Sequence, residues 1–201
     1  MPLRDFAPLG APCWIERFSS DTAGAPDFYG ELFGWAAVDA GAEYNHYVNF
    51  SRDGVPVAGG MGNDGSAGMP VDVVGVLAEP GTPNWFELHT RDYDASVTFY
   101  RQVFGWDTHV MSDDPGFRYT TFGEGDGALA GVMDATAFLP EGAPAGWSIY
   151  FGVDDTDAAL DKIVEMGGSI LLPPDDSPFG RLAQAADPTG ASFKLISGGA
   201  Q

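Results

Sequence analysis

Displaced by 71 positions, the sequence falls back onto itself. Pro12-Cys13-Trp14-Ile15-Glu16 lies on Pro83-Asn84-Trp85-Phe86-Glu87, and Asp21 on Asp92. Phe28-Tyr29 lies on Phe99-Tyr100, and Phe33-Gly34-Trp35 on Phe104-Gly105-Trp106. At a displacement of 72, Val57-Ala58-Gly59-Gly60-Met61 meets Leu129-Ala130-Gly131-Val132-Met133. So many aromatic identities in register mean one supersecondary unit used more than once. A third, diverged copy closes the chain: Trp147 precedes Asp154 by seven residues, as Trp14 precedes Asp21 and Trp85 precedes Asp92.

Each copy reads as a strand, a helix and three strands. Trp85 to Thr90 alternates between Pro83 and Asp92, as a short strand does. Asp94 is placed to cap a helix whose expected buried stripe is Phe99, Tyr100, Val103 and Phe104, with Gly105 to stop it. The first copy repeats the stripe as Phe28, Tyr29, Leu32 and Phe33, with Pro26 in the first turn and Gly34 at the end. In the third copy Leu160, Ile163, Val164 and Met166 form the stripe, and Asp187-Pro188-Thr189-Gly190 turns between the last two strands.

The totals narrow the function. A formal charge of −20 with nine Lys and Arg disfavours nucleic acid and anionic membrane surfaces as partners. No stretch approaches the roughly 20 apolar residues of a bilayer span. Met1 to Gly10 lacks a signal-peptide core, and the single Cys13 fits a reducing compartment, so a cytoplasmic location is expected. The acidic surface serves solubility, with attraction of a cationic ligand as the sharper reading.

The Trp-x-Glu strand, Phe-Tyr-(x)3-Phe-Gly-Trp and the Asp-Pro-x-Gly before the last strand resemble the vicinal oxygen chelate superfamily. That superfamily includes glyoxalase I, bleomycin-resistance proteins and extradiol dioxygenases. The nearest likeness is to glyoxalase-like proteins and hydroxylase-type relatives with four such units. The resemblance implies an α+β fold of repeated βαβββ units, two of them paired into a curved mixed sheet enclosing a cleft. The expected divisions are a first unit at 11–63, unpaired within the chain, a linker at 64–82, a second unit at 83–135, and a third at 146–199 paired with the second.

The resemblance also implies a divalent metal held from the first strand and from a Glu on the last. Those positions hold Trp14, Trp85 and Trp147, and Lys194. Indole offers no lone pair and an ammonium repels a cation, so no metal and no other cofactor is expected.

Alternation puts Trp85, Glu87 and His89 on one face of their strand, away from Phe86 and Leu88. That face is expected to look into the cleft, with Glu87 and His89 as acid–base candidates. By the likeness, His89 stands where glyoxalase I carries a carboxylate-binding Arg. Trp147, Ile149 and Phe151 are expected to line the opposing half with Trp85, while Tyr150 turns to the helix side. Lys194 and Arg181 are candidates for an anionic substrate group, Arg181 alternatively pairing with Asp187. Glu87 repeats as Glu16 and so also reads as structural; His89 has Phe18 as its counterpart. Arg17 interrupts an apolar face with no counterpart to explain it.

Three functions stay open: an atypical lyase, isomerase or hydroxylase-type enzyme acting on a small organic molecule, a bleomycin-resistance-like protein that binds a drug or metabolite without turnover, and a degenerate member serving as an interaction module. The unpaired first unit, with Trp14, Glu16 and Phe18 on its cleft side, is expected to form a homodimer.

Overall fold

The computed structural model describes residues 11–12, 14–19, 21–62 and 79–198. Most of the expected linker and Cys13 lie outside them. The chain forms two compact units, each taken by itself. One holds described residues 14–84 and 150–198, the other 85–149 with 11–12.

The strand–helix–three-strand pattern appears three times. The first module is β1 (Glu16–Ser19), α1 (Ala25–Phe33), β2 (Ala36–Asp39), β3 (Val48–Arg52) and β4 (Val55–Gly62). The second is β5 (Pro83–Thr90), α2 (Tyr93–Phe104), β6 (Thr108–Asp114), β7 (Phe117–Phe122) and β8 (Ala130–Asp134). The third is β9 (Gly146–Gly152), α3 (Thr156–Glu165), β10 (Ser169–Ser177), β11 (Gly180–Ala186) and β12 (Ser192–Ser197). Every module orders its strands alike, first beside last, then third, then second: β1-β4-β3-β2, β5-β8-β7-β6 and β9-β12-β11-β10. The first–last pair is parallel each time, and the register repeats too, with Glu16 opposite Gly59 and Glu87 opposite Gly131. The α+β, glyoxalase-like fold is therefore built by repetition.

Helix ends follow local chemistry. Gly34 and Gly105 close α1 and α2 with left-handed φ values of 71° and 66°, where a Cβ would be strained. In α3 the Asp155 carboxylate accepts from the Ala158 amide at 3.0 Å. The N-cap of α2 is Asp92, not Asp94. Asp94 lies inside the first turn and binds Arg118 at 2.8 Å, because the guanidinium on β7 offers a charged partner.

In the first unit the α1 stripe is buried as expected, and third-module rings cover it. Phe33 sits 4.8 Å from Phe151 and 6.0 Å from Phe193, and Trp35 sits 5.7 Å from Phe151. Burying each such ring contributes about 1.5 to 3 kcal/mol. Arg17 finds its account in the same unit. Its Nε donates to Asp187 Oδ2 at 2.8 Å, and Nη2 donates to Thr189 at 2.9 Å. Tyr29 donates to the same Asp187 oxygen at 3.0 Å. Thus the helix side of the first module rests on the third module.

The equivalent stripe of α2 differs. Phe99 is 53% exposed and Val103 55%, where Phe28 is 4%. Periodicity told which side of α2 is apolar; of that side, Tyr100 packs on Trp106 and Trp147 within its own unit, while Phe99 and Val103 stay exposed.

Candidate functional site

On β5, Phe86 and Leu88 are buried on one side while Trp85, Glu87 and His89 share the other. Those three side chains meet a fourth, Tyr119 of β7. The Trp85 indole donates to the Tyr119 hydroxyl at 2.8 Å, and that hydroxyl donates to Glu87 Oε2 at 2.8 Å. The other carboxylate oxygen, Oε1, is 2.6 Å from His89 Nε2. With the carboxylate ionised, Nε2 carries the proton and donates, an assignment made from the partner. Phe138 meets the imidazole edge-on, with ring centres 5.7 Å apart.

Glu87 is only 7% exposed, so its charge depends on these donors. Burial pushes the Tyr119 phenol well above its usual range, and the Glu87 charge and hydrogen bond add to that, against a smaller opposing effect of Trp85. Tyr119 therefore stays a hydroxyl donor at neutral pH. The close approach of the phenol to β8 needs Gly131, since a Cβ there would run into the Tyr119 hydroxyl.

The other expected site residues are elsewhere. Trp147 lies on the helix side of its strand, donating to the Tyr100 hydroxyl at 2.9 Å and packing 6.0 Å from Trp106. Phe151 belongs to the aromatic core of the first unit, and alternation puts Ile149 on their side. The side of β9 that bears Trp147 and Phe151 thus meets helix side chains, Tyr100 and Phe33. Tyr150 occupies the opposite side, beside Lys194, whose ammonium donates to its hydroxyl at 2.8 Å. Arg181 binds Asp157 through two nitrogens, at 2.5 and 3.0 Å, and Asp176 at 3.0 Å. Its alternative partner Asp187 is held by Arg17. Both cations thus already have partners in the chain.

Tyr119 was the residue the sequence reading passed over, although the signal was present. The displacement of 72 that matches Gly59 to Gly131 also matches Tyr47 to Tyr119.

The donors at the positions where the fold family binds metal do not fit one. Trp85 gives its only polar atom to Tyr119 as a donor, and Lys194 is a cation. Among the described residues no three His, Cys, Asp or Glu side chains converge. His46 pairs with Asp39 at 2.9 Å, and His109 with Asp107 at 3.3 Å. Nor, among the described residues, is any helix long and apolar enough to cross a membrane.

The sequence profile of the Glyoxalase/Bleomycin resistance protein/Dioxygenase superfamily matches residues 82–195. The anthracycline biosynthesis protein DnrV of Streptomyces peucetius is 38% identical over 128 residues, 58% of this chain and 46% of that protein. CFP32 of Mycobacterium tuberculosis, named as a glyoxylase candidate, is 38% identical over 120 residues, 57% of this chain and 45% of that protein. The chain spans about half the length of these curated relatives. A Mn(II)-bound glyoxalase from Novosphingobium aromaticivorans is similar in fold, with a TM-score of 0.64 over 94% of this chain and 82% of that one, at 12% identity.

Proposed function

The chain belongs to the Glyoxalase/Bleomycin resistance protein/Dioxygenase superfamily, and from that premise we propose that it binds a small organic molecule at the Trp85–Glu87–His89–Tyr119 constellation. There the Glu87–His89 pair moves a proton on the bound molecule, in isomerase- or lyase-type chemistry that does not use the family's usual metal. The observation that carries this reading is the 2.6 Å contact between His89 Nε2 and a buried carboxylate. A carboxylate in that position orients an imidazole and fixes which ring nitrogen carries the proton, as a general acid–base needs. Tyr119 and Trp85 position Glu87. The relative named for anthracycline biosynthesis supports a small organic ligand.

A turnover screen over small carbonyl compounds and polycyclic aromatics, with and without chelator, tests the proposal. Turnover should survive the chelator and fall about 10²- to 10⁴-fold in His89→Ala. Chelator-sensitive turnover, or turnover unchanged in His89→Ala, would refute it. Elemental analysis should correspondingly find less than stoichiometric transition metal. About one tightly held ion per chain, lost on changing Glu87, would refute the metal-free reading.

A second reading, ligand binding without turnover, is favoured by the engagement of both Glu87 oxygens inside the chain. It predicts that Glu87→Gln costs about 1 to 3 kcal/mol of stability, as a disturbed buried network does. Binding would then change little.

The homodimer expected through Trp14, Glu16 and Phe18 would use the side of the first sheet opposite its helix, since the helix side is covered within the chain. Light scattering checks it. A dimer at micromolar concentration that Trp14→Asp dissociates would establish it, and a monomer would remove it.

A further inference from the structure

The first module repeats the constellation of the second with one donor missing. Trp14 Nε1 donates to the Tyr47 hydroxyl at 3.2 Å, as Trp85 does to Tyr119. Burial raises the Tyr47 phenol and the Glu16 charge adds to it, as burial and the Glu87 charge do for Tyr119. A Cβ on Gly59 would run into the Tyr47 hydroxyl, as one on Gly131 would into Tyr119. Two modules have thus kept a Trp–Tyr pair beside a glutamate, together with the glycine that makes room for it.

They differ at one position. Glu87 Oε1 receives the His89 imidazole, whereas the corresponding residue in the first module is Phe18, which has nothing to donate. The consequence is visible at Glu16: its Oε1 is buried and has no hydrogen-bond partner among the described residues. A carboxylate oxygen shut away from water without a donor is costly. Phe18 beside it on the strand is 38% exposed, so solvent reaches the edge of the position.

We propose that the first module is a second binding site, in which Glu16 Oε1 receives a small organic cation bearing an N–H group, an imidazolium or ammonium, in the place His89 fills in the second module. Charge favours such a ligand, since the chain carries −20. A second copy of the chain is a poorer occupant. It repels the first, and four of its nine Lys and Arg, namely Arg17, Arg118, Lys162 and Arg181, are already held by carboxylates of their own chain. This inference does not rest on turnover at His89, and the test keeps the two apart.

The experiment titrates the intact chain with imidazole below pH 6.5, where imidazolium predominates, and with methylammonium. Tetramethylammonium is the cation lacking N–H. Imidazolium and methylammonium should bind saturably, and tetramethylammonium at least about tenfold more weakly, because a charge-assisted hydrogen bond is lost. Glu16→Gln should weaken imidazolium binding about tenfold or more, while Glu87→Gln leaves it unchanged. Phe18→His should raise the melting temperature and abolish imidazolium binding, since the chain then supplies its own donor. Imidazolium binding unaffected by Glu16→Gln, equal binding of tetramethylammonium, or binding that persists in a folded Phe18→His chain would each overturn the proposal. So would a dimer, dissociated by Trp14→Asp, that excludes these cations.

Discussion

Replacing Asp187 with Ala should lower stability by about 3 to 5 kcal/mol, the cost of stranding one member of a buried ion pair. The Asp187 side chain is 2% exposed and that of Arg17 11%. One oxygen, Oδ2, serves both Arg17 and Tyr29. The other, Oδ1, accepts from the Thr189 amide at 2.8 Å, the Thr189 hydroxyl at 2.7 Å and the Ala191 amide at 3.1 Å. Removing the carboxylate therefore leaves a buried guanidinium, a buried phenol and the turn before β12 without their common acceptor. Chemical denaturation of the variant measures the loss, and one below about 1 kcal/mol would refute this account.

The pH dependence follows from the same carboxylate. Burial pushes Asp187 up, but hydrogen bonds from Thr189 and Arg17 and the Arg17 charge outweigh it, leaving the group below the usual carboxylate range. A pKa lowered on folding gives stability that is fully present above the unfolded value, near 3.9, and is lost as pH falls through the folded value. Stability should thus decline below about pH 4, and Asp187→Asn should flatten that decline. An equally steep acid limb in the Asn variant would count against Asp187 as its source.

The second large effect is expected at Gly131. Gly131→Val should cost about 3 to 5 kcal/mol, combining overpacking against a rigid ring with the loss of the Tyr119 hydrogen bonds. The new Cβ would occupy the place of the Tyr119 hydroxyl, which then leaves both Trp85 and Glu87. Tyr119→Phe separates the two contributions, because it removes the hydroxyl without adding volume. It should cost only about 1 to 3 kcal/mol. In Gly131→Val/Tyr119→Ala, much of the penalty of the valine should disappear, since the clashing ring is gone. Fully additive losses in that double variant would show that valine acts elsewhere.

The repeat made much of this protein legible before any coordinates. Matching Phe-Tyr and Phe-Gly-Trp positions in two copies, and the Trp and Asp spacing in all three, announced one module used three times, and three modules of like strand order follow. Trp85, Glu87 and His89 could be placed on one strand face because side chains alternate with a period of two. Tyr119 was equally available, through the displacement that pairs it with Tyr47.

What the sequence by itself determined, then, was the elements, their order within a module, and which side of each is apolar. These depend on neighbours a few residues apart, through helical and strand periodicity, capping glycines and turns. What covers an apolar side was decided only in three dimensions. The stripes of α1 and α2 are nearly the same letters, yet Phe28 is buried and Phe99 is exposed, and within its own unit the α1 stripe meets Phe151 and Phe193. On β9 the side bearing Trp147 and Phe151 proved to be the helix side, a choice that alternation leaves open because it gives two faces without saying which is inward. Arg17 looked anomalous until Asp187, 170 residues away, was found against it. Local pattern carries no information about a partner so distant, and the ion pair becomes favourable only when packing has brought both groups out of water.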